Sequence, residues 1–342
     1  MTDLATLLQE TNALFDVELP NKPYKFRKLD SAAVEASIEV QKPKIEKQFK
    51  LSKVIIGHEG WVRGLCADPY GTFIASCSVD KLIKIWSLEG QLKLTLTGHL
   101  ASIRTLKMSR VHPYLYSAGE DKTIRCWDLT VNKSIRKYHG HLHGVYCMDL
   151  DISGNWMVSG GRDACARLWD CRTRKQELVF TGHEQTVSSI LINDNHIITG
   201  GMDSSIRVYD KRTGTMLKGL TLHYKGVRSL IKHPTLNCFF SASMDAIKVW
   251  KLDDYSHFCD LSNFETGIVN AMTTFDDTLV ACNNSGRLQV FNTKTMEKTY
   301  FVDTLPQIGS IDSEAAILDC HYINNSLYTA EADKTIKKWD IQ

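Results

Sequence analysis

The chain has 342 residues, 43% of them apolar, and a formal net charge of +2. No apolar run approaches the roughly 18 residues of a membrane-spanning helix, and so small a charge argues against a surface built to hold nucleic acid by charge alone. Ten cysteines stand singly with no Cys-x-x-Cys pair, which argues against finger-type metal sites and redox motifs and for reduced thiols.

The opening MTDLATLLQETNALF is acidic and has no small-residue cleavage site, unlike a signal peptide. Leu4, Leu7, Leu8, Leu14 and Phe15 follow the three-and-four spacing of one helix face, so a short helix is expected over 2–16. Thr2 or Asp3 would cap it, and Pro20 and Pro23 forbid its continuation. A second helix is expected over 31–41, with Val34 and Ile38 one turn apart and Pro43 beyond. Residues 1–21 hold four acids and no base, whereas 22–53 hold nine Lys/Arg against four acids. Residues 1–50 therefore read as a helical or extended docking segment whose apolar face orders on a partner. Residues 51–342 read as a separate domain.

From His58 onward one sentence is rewritten along the chain. His58, His99, His141, His183 and His223 each end a short extended segment, four of them after a glycine. An aromatic closes each unit: Trp86, Trp127, Trp169, Tyr209, Trp250, Phe291 and Trp339, in steps of 41, 42, 40, 41, 41 and 48 residues. Runs such as YLYSAG, IRCWD and IRVYD are short, β-branched and aromatic. A period of this length with Gly-His and Trp-Asp landmarks is that of a four-stranded propeller blade. The predicted fold is all-β, a seven-bladed WD-repeat β-propeller.

An acid precedes the aromatic by six residues at Asp80, Asp121, Asp163, Asp203 and Asp333, and by five at Asp245, so the fifth turn is one residue short. Four residues before each acid stands a hydroxyl: Ser76, Ser117, Ser159, Thr199, Ser241 and Thr329. The His, Ser/Thr, Asp and Trp set resembles the structural tetrad of WD-repeat proteins. That resemblance implies a buried hydrogen-bond chain within each blade, and a buried His and Asp would indeed be costly unless paired. A catalytic triad would need one privileged copy beside a cleft, whereas this trio recurs at fixed spacing. His139, His141 and His143 imitate a metal-binding run, but His141 belongs to the repeat and neither carboxylates nor a Cys pair accompany it. Neither metal, cofactor nor small-molecule substrate is expected, and a propeller hydrolase or lyase lacks a unique acidic cluster.

The sixth unit departs from the pattern. Asn263-Phe264-Glu265 stand where Gly-His would fall, Ala281 replaces the hydroxyl and Ser285 the acid. Its stability must rest on apolar packing by Val269, Met272, Leu279, Val280 and Val290. The seventh unit ends at Trp339 without residues for an outer strand, so 51–56 (LSKVII) are expected to complete it and close the ring.

A propeller does not give function. Protein binding is expected on the narrower face, with Glu59, Trp61, Glu120, Arg162, Met202, Tyr224 and Met244 as candidate contacts, a composition close to that of interface hot spots. Lys84, Arg125, Arg167, Arg207, Lys248 and Lys337 recur two before the aromatic, as a structural or solvated strand position would.

HPYLYSAGEDK (112–122), YHGHLHGVY (138–146), GRDACARLWD (161–170), TAEADKTIK (329–337) and the insert GSIDSEAAI (309–317) closely resemble the pleiotropic regulator family of spliceosomal WD-repeat proteins. The resemblance covers about residues 51–340. Relatives usually carry a longer N-terminal extension, from which the first fifty residues depart. The resemblance implies a nuclear, non-enzymatic subunit of the Prp19-associated (NineTeen) complex in pre-mRNA splicing. Such a subunit binds splicing proteins, among them Myb-domain and SKIP-type subunits, with any RNA contact peripheral within the assembly and no membrane. A second reading is a substrate receptor of a cullin-type ubiquitin ligase, because Trp169-Asp170-Cys171-Arg172 resembles the WDxR box of adaptor-binding propellers and Tyr209-Asp210-Lys211-Arg212 echoes it.

Overall fold

Seven antiparallel sheets of four strands each stand around one axis. The computed structural model describes residues 48–263, 267–307, 309–310 and 312–341. The helices expected over 2–16 and 31–41 lie outside these residues, as do Phe264 and Glu265. Blades one to six run in sequence order, beginning at Val62, Ile103, Val145, Val187, Ser229 and Val269. Blade seven takes three strands from Ile317–Ile341 and its outermost from Phe49–Ile56.

The middle strands of each blade are buried along nearly their whole length, as in Tyr114–Gly119 and Ile124–Asp128. Both of their faces are covered, so they read as continuous β-branched and aromatic runs rather than alternating ones. The outer strands are mostly exposed: Met216–Leu220 buries only its last residue.

The core is a series of layers between neighbouring blades. Leu115 and Trp127 of blade two pack on Cys77, Ile83 and Ile85 of blade one. Met157 and Trp169 of blade three pack on Tyr116 and Tyr138 of blade two. Each blade-closing aromatic thus faces the preceding blade, and no blade buries its apolar surface alone.

Closure follows the same logic. Residues Phe49–Ile56 pair antiparallel with Thr335–Ile341, Phe49 opposite Ile341 and Ile56 opposite Thr335, with a bulge between Leu51 and Lys53. The strand begins two residues before the expected Leu51, and Phe49 explains why. Its ring packs among Val280, Leu288 and Trp339 and meets Phe275 edge-on at 6.3 Å. At the other end Ile55 joins Val62 and Trp86 of blade one. Three further bonds join blade seven to blade one: Leu65 N–H to Asp319 Oδ2 (2.8 Å), Asn324 Nδ2 to Gly71 O (2.9 Å) and Tyr328 Oη to Leu88 O (3.0 Å).

Burying Phe49 and Ile55 is worth about 1.5–3 kcal/mol each, besides the edge they cover. Deleting 49–56 is therefore expected to lower the melting temperature far more than deleting 1–20. Equal losses from the two truncations, measured by calorimetry, would show that the strand does not close the ring.

Candidate functional site

In each of the first five blades one hydrogen-bonded chain runs from the strand interior to the surface turn. In blade two, Trp127 Nε1 donates to Ser117 Oγ (2.8 Å), Ser117 Oγ meets His99 Nε2 (2.6 Å), and His99 Nδ1 meets Asp121 Oδ2 (2.8 Å). An ionised carboxylate only accepts, so Nδ1 carries the ring proton and Nε2 accepts from the hydroxyl. The chain recurs as Trp86–Ser76–His58–Asp80 (2.8, 2.7 and 2.7 Å) and Trp169–Ser159–His141–Asp163 (2.8, 2.7 and 2.9 Å). In blade five Trp250–Ser241–His223–Asp245 has spacings of 2.8, 2.7 and 3.1 Å. Blade four keeps His183 on Thr199 (2.8 Å) and Asp203 (2.9 Å), but Tyr209 has no indole and donates its hydroxyl to Thr181 O.

Each acid also accepts the N–H of the residue after its histidine, for example Leu100 on Asp121 (3.1 Å) and Tyr224 on Asp245 (3.3 Å). This bond ties the loop entering a blade to the turn between its middle strands. The turn carries a left-handed residue directly after the acid, at Lys81, Lys122, Ala164, Ser204 and Lys334. A side chain there is disfavoured. The acid offsets the cost in several blades, its Oδ1 accepting the N–H two residues on, as from Leu82, Thr123, Ser205 and Thr335. The shortened fifth turn has no such residue, yet Asp245 still reaches His223. Gly98, at φ +149, is needed for a second reason: a Cβ there would lie 2.8 Å from Arg125 Nη1 and 3.2 Å from the Trp127 ring.

Charge in these chains is fixed by two opposed effects. Burial pushes the Asp163 carboxyl up, but the hydrogen bond and charge of His141, with the Leu142 N–H and Arg167, outweigh it and hold it at about 2. For His183 and His223 burial dominates and lowers the imidazole below its ordinary value despite the neighbouring acid. In blades four and five burial thus favours the neutral imidazole beside its carboxylate. His139 and His143 flank His141 as exposed side chains, while His141 turns inward to Ser159 and Asp163.

The last two blades depart from this pattern and use two residues, Asn283 and Glu331, that sequence reading missed. In blade six Asn283 is buried, and its Oδ1 accepts from Ser285 N, Ser285 Oγ and Arg287 N. In blade seven Trp339 Nε1 donates to Thr329 Oγ1 (3.1 Å), and Thr329 Oγ1 donates to Glu331 Oε1 (3.2 Å) where a histidine would stand. Lys337 binds Glu331, lies 3.4 Å from Asp333 and donates to Leu305 O (2.7 Å), while Asp333 accepts from Gln307 N (3.0 Å). This Glu–Lys–Asp group pins the incoming loop as the histidines do elsewhere. Burial raises the Glu331 carboxyl to about 7, against the pull of Lys337. Lys337 is therefore a buried structural cation, as are Arg125 and Lys248, rather than a solvated strand residue.

The candidate partner-binding residues lie on the face where these turns emerge. Glu59, Trp61, Arg162, Tyr224 and Met244 are exposed there, Tyr224 by 80%. Met202 is half-buried, and Glu120 is tied to Arg104 through Nε at 2.7 Å. In the adaptor-box sequence Trp169 is buried and Asp170 accepts from Arg172 N (2.8 Å), while the Arg172 side chain is 67% exposed.

At the centre of this face opens an axial channel of about 590 Å³, lined by the first strand of every blade. The fifth residue after each histidine reaches its mouth: Arg63, Arg104, Tyr146, Ser188 and Arg228. Arg104 lies over the Tyr146 ring at 4.4 Å and Arg63 over Trp61 at 4.9 Å. Arg228 Nη1 donates to Asn270 Oδ1 at 3.3 Å. Deeper in the channel, side chains join neighbouring blades: Asp149 accepts from Ile192 N (2.9 Å) and Ser189 from Leu230 N (2.8 Å). The channel wall holds Lys107 3.3 Å from Asp149, and burial raises the Asp319 carboxyl to about 6.

Ring, tetrads and closing strand together define a WD-repeat propeller. The family model described as "WD domain, G-beta repeat" matches residues 49–87, 90–128, 132–170 and 174–210. Pre-mRNA-splicing factor PRP46 of Kluyveromyces lactis is 39% identical over 305 residues, covering 87% of this chain and 70% of the relative. The protein of the same name from Eremothecium gossypii is 38% identical over 319 residues, 91% and 75%. Protein pleiotropic regulator PRL2 of Arabidopsis thaliana is 40% identical over 322 residues, 92% and 67%. The chain belongs to this PRP46/pleiotropic regulator family of WD-repeat proteins.

Replacing Trp127 with Ala removes a buried indole and strands the Ser117 hydroxyl. The expected cost is about 3–5 kcal/mol, read by urea unfolding. A loss below about 1 kcal/mol would contradict the anchoring role.

Proposed function

We propose that the protein is a non-enzymatic interaction scaffold of the spliceosome, acting in pre-mRNA splicing in the nucleus. The observation that carries this reading is similarity along nine-tenths of the chain to relatives named as splicing factors or pleiotropic regulators. The geometry supports it: the Ser–His–Asp groups are consumed within the blades, and the exposed loops present aromatic, Met and Arg side chains on one face. A rigid ring with several such loops suits an assembly in which modest contacts reinforce one another.

The partners proposed are protein subunits of a NineTeen-type complex, including Myb-domain and SKIP-type members. They would meet Glu59, Trp61, Glu120, Arg162, Met202, Tyr224 and Met244, with residues 1–50 as a further docking segment. The exposure of Arg172 also keeps an adaptor-binding role for the WDxR sequence in view.

Affinity purification of the intact chain from nuclear extract, with and without RNase, followed by mass spectrometry, tests the proposal. Splicing proteins should co-purify and survive RNase. Recovery of none would overturn it. Arg172→Ala is expected to leave that recovery intact, and loss of a cullin adaptor in the same experiment would establish the ligase role beside it.

A further inference from the structure

Two of the three arginines at the channel mouth, Arg63 and Arg228, form no salt bridge among the described residues, although Glu120 lies near enough to act on Arg63 as well as on Arg104. Arg104 is neutralised by Glu120. Arg63 and Arg228 stand on blades one and five, on opposite sides of the ring, with no salt bridge. Arg63 is stacked on Trp61 and its Nε is buried without a hydrogen-bond partner. Arg228 has one weak bond, to an amide oxygen. Arg63 thus keeps its planar donor edge in a fixed place and Arg228 presents its own to solvent, and an anion is the partner that suits both. The surroundings describe the rest of the ligand. Trp61, Tyr146 and Met202 border the arginines, and Leu100 and Leu142 are exposed on the loops outside them.

We propose that the channel mouth binds an extended acidic peptide of a partner protein, its carboxylates seated on Arg63 and Arg228 and its apolar side chains on the surrounding rim. This inference rests on the scaffold reading and specifies the chemistry of one contact. A carboxylate matches Arg63 and Arg228, which stand apart across the mouth, while Glu120 offsets the second positive charge that Arg104 places near Arg63. The rim offers apolar and aromatic area for a peptide side chain. Nucleic acid and phosphopeptide are accordingly alternatives that the test must separate.

The test is fluorescence anisotropy of the full chain with a labelled short peptide of mixed Asp, Glu and Leu. Comparison probes are its Asn/Gln counterpart, a phosphoserine peptide and single-stranded RNA. The acidic peptide should bind and weaken with salt. Arg63→Gln and Arg228→Gln should each lower affinity about tenfold or more. Lys175→Gln, in the exposed turn between the outer strands of blade three, should change it little. Each variant is melted first, and if Arg63→Gln loosens the fold, the more exposed Arg228→Gln decides.

Equal binding of the uncharged peptide, indifference to Arg228→Gln, or arginine-dependent binding by RNA or phosphopeptide alone would overturn the inference. Co-purification separates the two levels of the argument. If splicing proteins are recovered yet no acidic peptide binds, the mouth assignment fails and the scaffold stands; if none is recovered, the scaffold fails whatever the peptide does.

Discussion

Most blades of this fold depend on one constraint: the polar loop-to-turn link must be buried and paired. A four-stranded blade is too small to hold its own loops, and its apolar faces are shared with its neighbours. The chain from Trp127 through Ser117 and His99 to Asp121 spans the distance from core to surface. It joins four sequence positions that would otherwise be free to shift, and it does so where water does not compete. Pairing costs little there, whereas an unpaired buried imidazole or carboxylate would cost several kcal/mol. The closing strand obeys a related requirement at the level of the ring, pairing the edge of Thr335–Ile341 that would otherwise lie open.

The departures are informative because two of the three keep the constraint while changing the chemistry. Blade five shortens its turn and retains the His–Asp bond. Blade seven replaces imidazole by a carboxylate and must then import a cation, Lys337, to balance Glu331 and Asp333. Blade six gives up the histidine–acid link and uses Asn283 to organise its turn locally. Its apolar cohesion comes from Phe275, Val280, Leu288 and Phe291.

How much was legible in the sequence follows from what repeats. The blade count, the tetrad spacing and the origin of the closing strand can be read because the same backbone position asks for the same side chain each time. Glu331 could not be read so easily, since its position is held by Gly119, Gly161 and Gly201 in other blades and only the pairing with Lys337 gives it meaning. The arginine-bearing mouth was missed for the opposite reason. Its residues occupy one register, the fifth after each histidine, but differ in type from blade to blade, and only the closed ring brings Arg63 and Arg228 to one opening. The catalytic reading of Ser, His and Asp fails because those residues recur in the blades and are spent on one another.

The most direct measurement of this dependence is native-state hydrogen exchange resolved by blade. If the His–Asp links hold the blades, amides in 278–283 and 287–292 of blade six should open with lower free energy than those in 115–119 and 124–128 of blade two or 157–161 of blade three. Exchange in blade six as slow as in blades two and three would contradict the account, because apolar packing alone would then suffice.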